Sequence, residues 1–496
     1  MLPGPASGAA RTAGSVIAPG ANCHLTIDVR IIDVVKRESV RDPSDPPPAP
    51  MAPDGPGSPP PAVGLWSACR KPHYDLAPML ADGARRNEIL ETAATLFASA
   101  GLRVSLKEIA TACGILPGSL YHHFDSKEAI VLELVRRYRE DLDQVAARTL
   151  DDLHRHPATP VEDRVIEFGR AIAACGVHHR AALLLTLYDP PAVLGDELAQ
   201  LAKQTPLSIE AAMLEVLDHG RSAGGIRPGL DLTLLSDRLC QSMLHVGVGV
   251  SHMTPGAERV PEIRLRILLE GIAPRTPPNA VLDRSRSFQA VDKVVAGWEG
   301  ELDEERDRTA WLRAVARREF GRRGYESTTM RDIAGAAGLS TGTVYRSFHS
   351  KDELLISIMQ SYTDRVKAAW DAAMSTDSSA LEKLDALMWA NIHVIDRFSD
   401  EFRIQLAWLR QSPPNTPNLG LSFSWHLRNV KALLLEGEQA DDLHVEGAGV
   451  DVRARCLQEA IVFPPNVVRA AGTRSAQALA RETVLRGALA RARARA

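Results

Sequence analysis

Apolar residues recur at helical spacing along most of the chain. The segment Glu88–Phe97 shows the pattern, because its apolar residues fall on one helical face: Ile89, Leu90, Ala93, Ala94 and Phe97. This spacing predicts an amphipathic helix. Similar stripes continue to about Ala273 and resume by Thr309, whereas the period-two alternation of strands is nearly absent. We therefore predict an all-α fold for residues 85–496.

Two stretches interrupt the helical pattern. The run Asp42–Pro61 is rich in proline, glycine and serine and offers little apolar surface to bury, so residues 1–80 are predicted to form a disordered extension. The prolines within Pro274–Asn279 indicate a linker, which we place at residues 275–304. The remaining chain then divides into two helical halves.

Both halves begin with the same sequence module. Residues 89–128 and 312–352 align with one gap, and the first copy has one residue fewer before Ser105. The matched positions include Ile109 with Ile333, Gly114 with Gly338, Tyr121 with Tyr345, Phe124 with Phe348, and Lys127 with Lys351. Identity spread over about forty positions indicates a true internal repeat.

The spacing inside the module predicts its local structure. In the first copy, Ser105 precedes a short helix as an N-cap and Glu108 stands three residues later as its capping-box partner. Gly114 then ends that helix, and another short helix follows within a few residues. The corresponding residues of the second copy are Thr329, Asp332 and Gly338. Two short helices joined by a glycine turn predict a helix-turn-helix unit, whose second helix fits the DNA major groove.

The module resembles the DNA-binding domain of TetR/AcrR-type transcriptional regulators. The motifs that carry the resemblance are F-x3-G, the IA-x2-G/A-x-G-I/L turn, the S/T-L/V-Y-x-x-F recognition helix and the following S-K-E/D. The resemblance implies two similar halves, each a three-helix DNA-binding domain followed by a helical regulatory and dimerisation bundle. The implied DNA-binding domains are 81–127 and 305–351, and the implied bundles are 128–274 and 352–496.

The same resemblance implies which side chains contact double-stranded DNA. In the first copy they are Lys107, Pro117, Gly118, Ser119, Tyr121, His122, His123 and Lys127. In the second copy they are Arg331, Thr341, Gly342, Thr343, Tyr345, Arg346 and Lys351. The tyrosines and the lysines that open the fourth helices have the reach for phosphates, whereas Arg331 can pair bidentately with guanine. Plain packing for the tyrosines and a solvated face for the two histidines remain alternatives.

Charge is distributed unevenly along the chain. In total, 58 Lys and Arg oppose 62 Asp and Glu, for a formal net charge of −4. From Arg85 to Lys127, five basic residues oppose four acidic ones, whereas from Arg306 to Lys351 ten oppose four. Four arginines, at positions 317, 318, 322 and 323, crowd the end of the first helix of the second copy. We therefore expect the second module to contribute more non-specific DNA affinity.

Composition excludes several other classes of protein. The six cysteines are scattered without CxxC pairs, which argues against a disulfide framework or a zinc site. No apolar run reaches the roughly 18 residues that span a bilayer, and the N-terminus lacks a signal-peptide pattern, so we expect a cytoplasmic protein without membrane contact. We find no catalytic constellation at recognisable spacing and predict neither an enzyme nor a bound cofactor or metal.

Two further segments of the bundles have recognisable patterns. The apolar stretch Leu232–His252 is predicted to be a long helix that either lines a pocket or packs at a helix–helix seam. The arginine-rich and alanine-rich segment Arg481–Ala496 is predicted to be a helix that frays into a basic tail. By the family resemblance, a bundle pocket would hold a small hydrophobic or amphipathic effector of unknown identity.

Two functional hypotheses follow from the repeat. In the first, the chain is a transcriptional regulator. The family resemblance favours a repressor over an activator, and the repressor is released from its operator when the effector binds. It then acts either as an intrachain pseudo-dimer with unlike half-sites or as a homodimer with four modules. In the alternative hypothesis, the first module is a structural relic, and a homodimer reads DNA with its second modules only.

Overall fold

The computed structural model describes residues 76–100, 104–186, 207–246, 257–298, 307–325, 328–411, 423–447 and 449–490, together with Glu197 and Gln200. These ranges are α-helical with connecting turns, and the sole pairing of extended backbone among them is an isolated antiparallel bridge between Ile226 and Leu489. The predicted all-α class is confirmed. Most of the predicted extension 1–80 lies outside the described residues, but residues 76–80 belong to the first helix. No helix in these ranges is both long and apolar enough to cross a membrane.

The first half contains the first module and a bundle behind it. The module consists of α1 (Leu76–Ala100), α2 (Leu106–Ala112) and α3 (Pro117–Tyr121). The helices of the bundle are α4 (Lys127–Arg155), α5 (Val161–His178), α6 (Arg180–Thr186), α7 (Leu207–Ser222), α8 (Leu232–Leu244) and α9 (Val260–Glu270). α5 lies centrally, because it packs against α4, α7, α8 and α9.

The segment predicted as a linker, residues 275–304, contains two helices instead. α10 (Asn279–Leu282) is a single turn, and α11 (Arg286–Gly297) is capped by Ser285, whose side chain accepts a hydrogen bond from the Phe288 amide. The apolar face of α11 is buried against the second bundle, where the ring of Phe288 stacks on Trp389 at a centroid distance of 5.4 Å. The paired prolines mark the end of the first bundle, as predicted. The residues after them, however, form a helix that belongs to the second bundle.

The second half repeats the order of the first. Its module consists of α12 (Arg308–Arg323), α13 (Met330–Ala336) and α14 (Thr341–Ser347). The helices behind it are α15 (Lys351–Met374), α16 (Ala380–Arg397), α17 (Ser399–Gln411), α18 (Phe423–Gln439), α19 (Val450–Ala460), α20 (Pro465–Ala471) and α21 (Thr473–Ala480). α16 is the central helix here, and most of its length is buried.

The two bundles meet along a seam that pairs the same helices of each half. α9 packs on α19, and α8 packs on α20. Counted from the fourth helix of each half, α8 corresponds to α19 and α9 corresponds to α20, so the two contacts are reciprocal. Such reciprocity is the geometry of a two-fold interface between equal subunits. Polar contacts accompany the packing, since the Asn466 amide nitrogen lies 2.8 Å from both carboxylate oxygens of Asp237.

The C-terminal segment is buried in this seam, contrary to the predicted frayed tail. Residues Arg481–Leu485 form a π-helical turn, and Val484, Leu485 and Ala488 are fully buried. The backbone that follows joins the first half, because the amides of Ala488 and Leu489 donate to the carbonyls of Leu268 and Leu269 at 3.1 and 2.8 Å. Residues 491–496 of the predicted tail lie outside the described ranges. The arginine-rich composition predicted a solvated segment, but Arg481 and Arg486 instead donate to carboxylates and a carbonyl within the chain.

Candidate nucleic-acid interface and ligand cavity

The second helix of each module is fixed by a complete capping box. The Ser105 hydroxyl accepts from the Glu108 amide, and the Glu108 carboxylate accepts from the Ser105 amide at 2.7 Å. In the second module Thr329 and Asp332 make the same pair of contacts, with the carboxylate 2.8 Å from the Thr329 amide. Each carboxylate also accepts from the hydroxyl of its cap residue, and the hydrogen bonds from this hydroxyl and from the cap amide hold the pKa of each carboxyl below its ordinary value. Both predicted capping boxes are therefore present.

The turn between the two short helices is the same in both copies. Gly114 and Gly338 have φ of +66° and +67°, a conformation that favours glycine. Immediately after them, the amide of Ile115 donates to Ala110 and the amide of Leu339 donates to Ala334, each at 2.9 Å. This turn orients α3 and α14 on their modules. The buried side chains of those two helices, Leu120 and Val344, hold them against the module cores.

The apolar residues that the two modules share are buried. Ile109, Ile333, Phe124 and Phe348 are each at most 4% exposed. In the first module the guanidinium of Arg86 also covers the Phe124 ring, 4.6 Å from its centroid. The inner faces of the recognition helices thus pack on the apolar cores of the modules, and their outer faces are exposed to solvent.

The outer face of α3 carries most of the residues predicted for DNA in the first copy. Tyr121 is 53% exposed, which removes plain packing as its role. The other exposed residues of this set are Lys107, Pro117, Gly118, Ser119 and His122, whereas His123 and Lys127 are half-buried. Leu116, which precedes α3, is 76% exposed and provides no side-chain cap. Leu116 was not among the predicted residues, although an apolar residue just before a recognition helix is a usable signal in the sequence.

The outer face of α14 is more polar. Tyr345 is 47% exposed, and Ser340 takes the place of Leu116, where its hydroxyl accepts from the Thr343 amide at 3.2 Å. Arg346 lies along this face, since its Nη2 donates to the Thr343 hydroxyl at 3.2 Å. Of the remaining predicted residues, Arg331 and Gly342 are exposed and Thr341 is half-buried. Each face therefore has an exposed tyrosine at the same position, but the side chains around the two tyrosines differ.

Lys351 occupies a different environment from the one that the sequence predicts. Its Nζ donates to the carbonyl oxygens of Tyr325 and Thr328, at 2.8 and 3.1 Å. The same ammonium lies 4.2 Å from the centroid of the Tyr325 ring. In this conformation Lys351 ties the loop after α12 to the start of α15. These contacts occupy the ammonium in this conformation, and the contact of Lys351 with a phosphate stays a prediction.

The arginine cluster of the second module is largely engaged within the chain. Glu319 forms ion pairs with Arg322 and Arg323, each at 2.8 to 2.9 Å. Arg317 contacts the carboxylate of Glu401 on α17 at 3.4 Å. Arg318 lies over the ring of Trp311. The basic excess counted along the sequence is therefore larger than the charge that this module presents to solvent.

A cavity of about 420 Å³ lies in the second bundle beside the seam. This volume falls within the range of roughly 300–1,000 Å³ that is typical of small-molecule sites. The second half supplies an aromatic wall that includes Tyr362, Trp370 and Phe402, and the first half supplies Arg238, His245 and Arg264. The segment 232–252 was predicted to line a pocket or to pack at a seam, and its described part, α8 and the two residues after it, does both. Residues 247–252 lie outside the described ranges.

The two arginines from the first half are almost completely buried in the cavity wall. Each is 2% exposed. Burial lowers the pKa of Arg238 to about 9 and that of Arg264 to about 10, which still leaves both protonated at neutral pH. Arg264 forms an ion pair with Glu459 of α19. Neither arginine was among the predicted site residues, because their partners lie in the other half of the chain and leave no local signal in the sequence.

The described residues contain no group of three or more His, Cys, Asp and Glu side chains arranged to hold a metal ion. His178 and His179 are adjacent, and His179 contacts the Asp141 carboxylate at 2.7 Å. Burial lowers the pKa of His179 despite that contact. These side chains have a structural role at the junction of α4, α5 and α6.

Known proteins resemble this chain, and one family model matches it at two separate places. A family model described as bacterial regulatory proteins, tetR family, matches residues 89–134 and 312–358. The HTH-type transcriptional repressor KstR2 of Mycobacterium tuberculosis (strain CDC 1551 / Oshkosh) is 34% identical over 202 residues, which cover 38% of this chain and 93% of the repressor. KstR2 of Rhodococcus jostii (strain RHA1) is 32% identical over 214 residues, which cover 38% and 91%. The solved structure of the ketosteroid transcriptional regulator KstR2 of Mycobacterium tuberculosis is 22% identical, with a TM-score of 0.31, and covers 36% of this chain and 91% of that one.

Proposed function

The chain belongs to the TetR family of bacterial regulatory proteins, and we propose that this DNA-binding transcriptional regulator reads one operator with both of its helix-turn-helix modules. The two halves of the chain then replace the two subunits of a dimer. The observation that carries the proposal is the reciprocal seam, in which α9 packs on α19 and α8 packs on α20. A seam of this kind fixes the two modules relative to each other, as a dimer interface does.

The recognition faces predict an operator with unlike half-sites. Two recognition helices on a two-fold frame enter successive major grooves, about 34–36 Å apart. α3 presents Leu116 beside Tyr121, whereas α14 presents Ser340 beside Tyr345. An exposed leucine favours an apolar contact such as a thymine methyl, and a serine favours a hydrogen-bonding base edge. The preferred DNA is therefore a pseudo-palindrome whose halves differ.

We further propose that the regulator is a cytoplasmic repressor released by a small-molecule effector. The cavity supports this proposal, since its wall is shared between the two halves and lies beside the seam. A ligand that binds one arrangement of the halves better than another shifts the equilibrium between them by that difference in affinity. Each module packs on its own bundle, α1 against α6 and α12 against α17, so such a shift changes the spacing of the modules on DNA.

Selection of DNA from a random library by the full chain tests the proposal. We expect an enriched site with two unlike halves, bound by one chain of 53.8 kDa in light scattering. Tyr121→Ala is expected to weaken binding through one half-site and Tyr345→Ala through the other, because each removes a phosphate contact of its module. Val281→Ala, an exposed substitution on α10, is the matched control and leaves the enriched sequence unchanged.

The alternative with a relic first module gives a different result in the same experiment. It predicts a symmetric palindrome, a complex that contains two chains, and binding unaffected by Tyr121→Ala. The intact capping box, the left-handed Gly114 and the exposed Tyr121 all favour a working first module. Either a palindrome bound by two chains or a silent Tyr121→Ala variant would reject the single-chain proposal.

A further inference from the structure

In the part of the chain that the structure describes, the residues that line the cavity carry a net positive charge. Its charged side chains are Arg238, Arg264, Arg455 and Glu459, which give three cations and one anion. Glu459 is already engaged, because it pairs with Arg264 and lies 3.9 Å from Arg455. A buried excess of positive charge is unfavourable unless an anion compensates it.

Arg238 is the cation that lacks compensation. Its Nη2 donates to the carbonyl oxygen of Ala460 at 2.8 Å, and its guanidinium lies 3.6 Å from the centroid of the Phe463 ring. Its Nη1 is buried without a hydrogen-bond partner in the described part of the chain, and no carboxylate there lies within ion-pair distance of it. These contacts fix the guanidinium at the wall of the cavity and leave its Nη1 unsatisfied by the described protein groups. Gln458 adds a second buried polar group to the wall, with an Oε1 that also has no hydrogen-bond partner among the described residues.

The rest of the cavity suits an apolar body. Tyr362, Trp370 and Phe402 line it, and their neighbouring polar groups satisfy one another. The Tyr362 hydroxyl donates to the Gln405 amide oxygen at 2.9 Å, and the Trp370 indole donates to the Asn391 amide oxygen at 3.3 Å. An apolar ligand therefore displaces none of these bonds when it lies along the aromatic wall.

We infer that the cavity binds an amphipathic organic anion, with its carboxylate or phosphate head on Arg238 and its apolar body along Tyr362, Trp370 and Phe402. The inference deepens the proposed function, since it names the chemical class of the effector for the same cavity. The head group contacts α8 of the first half, and the body contacts α15 and α17 of the second. One ligand thus bridges both halves across the seam.

Titration calorimetry on the full chain without DNA tests the inference. The probes are octanoate, dodecanoate and hexadecanoate, the alkyl phosphates of the same lengths, and the matching alcohols. We expect the best anion to bind at least about tenfold more tightly than its alcohol, the scale of a hydrogen bond to a charged group. A preference for the alkyl carboxylate over the alkyl phosphate, or the reverse, identifies the head group.

Variants at the seam assign the preference to one residue. Arg238→Met is expected to weaken binding of the anion by about tenfold or more and to leave the alcohol unaffected, whereas Arg238→Lys retains a preference for the anion. Arg227→Met is the matched control, because Arg227 also crosses the seam, to Glu482 and Gly487, but lies outside the cavity wall. Circular dichroism confirms that each variant folds.

Three results would overturn the inference. They are equal affinity for anion and alcohol in the wild-type chain, full affinity for the anion in Arg238→Met, and absence of binding by every probe. None of these results involves DNA, so a failed operator selection with intact Arg238-dependent binding would reject the proposed function and leave the ligand class standing.

Discussion

Arg481 and Asp385 form a buried ion pair at the centre of the second bundle. The Nε and Nη2 of Arg481 each lie 2.8 Å from a carboxylate oxygen of Asp385, and both side chains are at most 4% exposed. Asp283 contacts the third guanidinium nitrogen, also at 2.8 Å. The pair therefore joins the C-terminal turn to α16 and to the end of α10. It also explains why an arginine-rich segment is not a solvated tail.

Arg481→Met is predicted to destabilise the chain strongly. The substitution leaves the carboxylate of Asp385 buried without its cation, and removal of one partner from a buried pair typically costs about 3–5 kcal/mol. Urea denaturation measures the change in unfolding free energy. The double variant Asp385→Leu with Arg481→Met removes both charges and is expected to recover most of that loss. A single variant as stable as the wild type would show that the pair contributes little.

Two glycines with the same backbone conformation but different surroundings give a second prediction. Gly271 and Gly472 end their helices with nearly the same backbone, at φ +76° and ψ 166° or 162°. A Cβ on Gly271 would lie 2.5 Å from the backbone of Arg486 and Gly487, whereas a Cβ on Gly472 meets nothing within 4 Å.

Alanine at the two glycines separates conformational strain from crowding. Gly472→Ala is expected to lose only the strain of a left-handed alanine, about 1–3 kcal/mol. Gly271→Ala is expected to lose that amount and about 1–3 kcal/mol more, because its Cβ pushes the C-terminal segment away from α9. Thermal unfolding followed by circular dichroism compares the two. Equal losses would mean that the segment moves aside freely.

Local sequence rules predicted the modules well and the seam poorly. Capping boxes and glycine turns depend on residues within a few positions of one another, so Ser105 with Glu108 and the left-handed Gly114 could be recognised directly. The buried Arg238 and Arg481 depend on partners more than ninety residues away. Their surroundings, such as Ala460 and Asp385, exist only after the halves have packed. The sequence therefore placed Arg481 in a solvated tail and gave no specific role to Arg238.

Lys351 gives a third prediction, on the stability of the second module. Lys351→Ala removes an ammonium that donates to the carbonyls of Tyr325 and Thr328, and is expected to lower the unfolding free energy by about 1.5–3 kcal/mol. Arg331→Ala in the same module is the control, since an exposed substitution usually changes stability by less than about 0.5 kcal/mol. Urea denaturation measures both. Unchanged stability in Lys351→Ala would show that the two carbonyl contacts contribute little to folding and would favour the predicted phosphate contact.

Glu210 gives a prediction on the pH dependence of stability. Burial first, and the nearby charge of Asp237 second, raise the pKa of its carboxyl from 4.5 to about 7. Because the folded pKa exceeds the unfolded one, the group favours the folded state fully below pH 4.5, and that contribution is lost as the pH rises through 7. Glu210→Gln is expected to flatten the stability profile in this window and to be more stable than the wild type above pH 7.

A matched substitution on the same helix controls for the loss of a carboxylate. Asp218 of α7 carries a side chain that is 59% exposed and pairs with Arg221, an arginine that stays charged in this pH range. Asp218→Asn is therefore expected to leave the slope of unfolding free energy against pH between 4.5 and 7 unchanged. If Glu210→Gln also leaves that slope unchanged, the carboxyl is solvated in the folded protein and its burial is not felt.

The last prediction concerns Lys107 and Arg331, which occupy matched positions at the starts of α2 and α13. Both are exposed, but lysine is a point charge and arginine a planar fork. On the selected operator, Lys107→Ala is expected to lower the slope of log affinity against log salt by about 0.9, the loss of one phosphate contact, without changing base preference. Arg331→Ala is expected to remove about 1–3 kcal/mol of discrimination at one base pair of its half-site. Arg221→Ala, on the first bundle, is the control. If Arg331→Ala changes only the salt slope, Arg331 contacts the backbone, and base recognition by the second module rests on α14 alone.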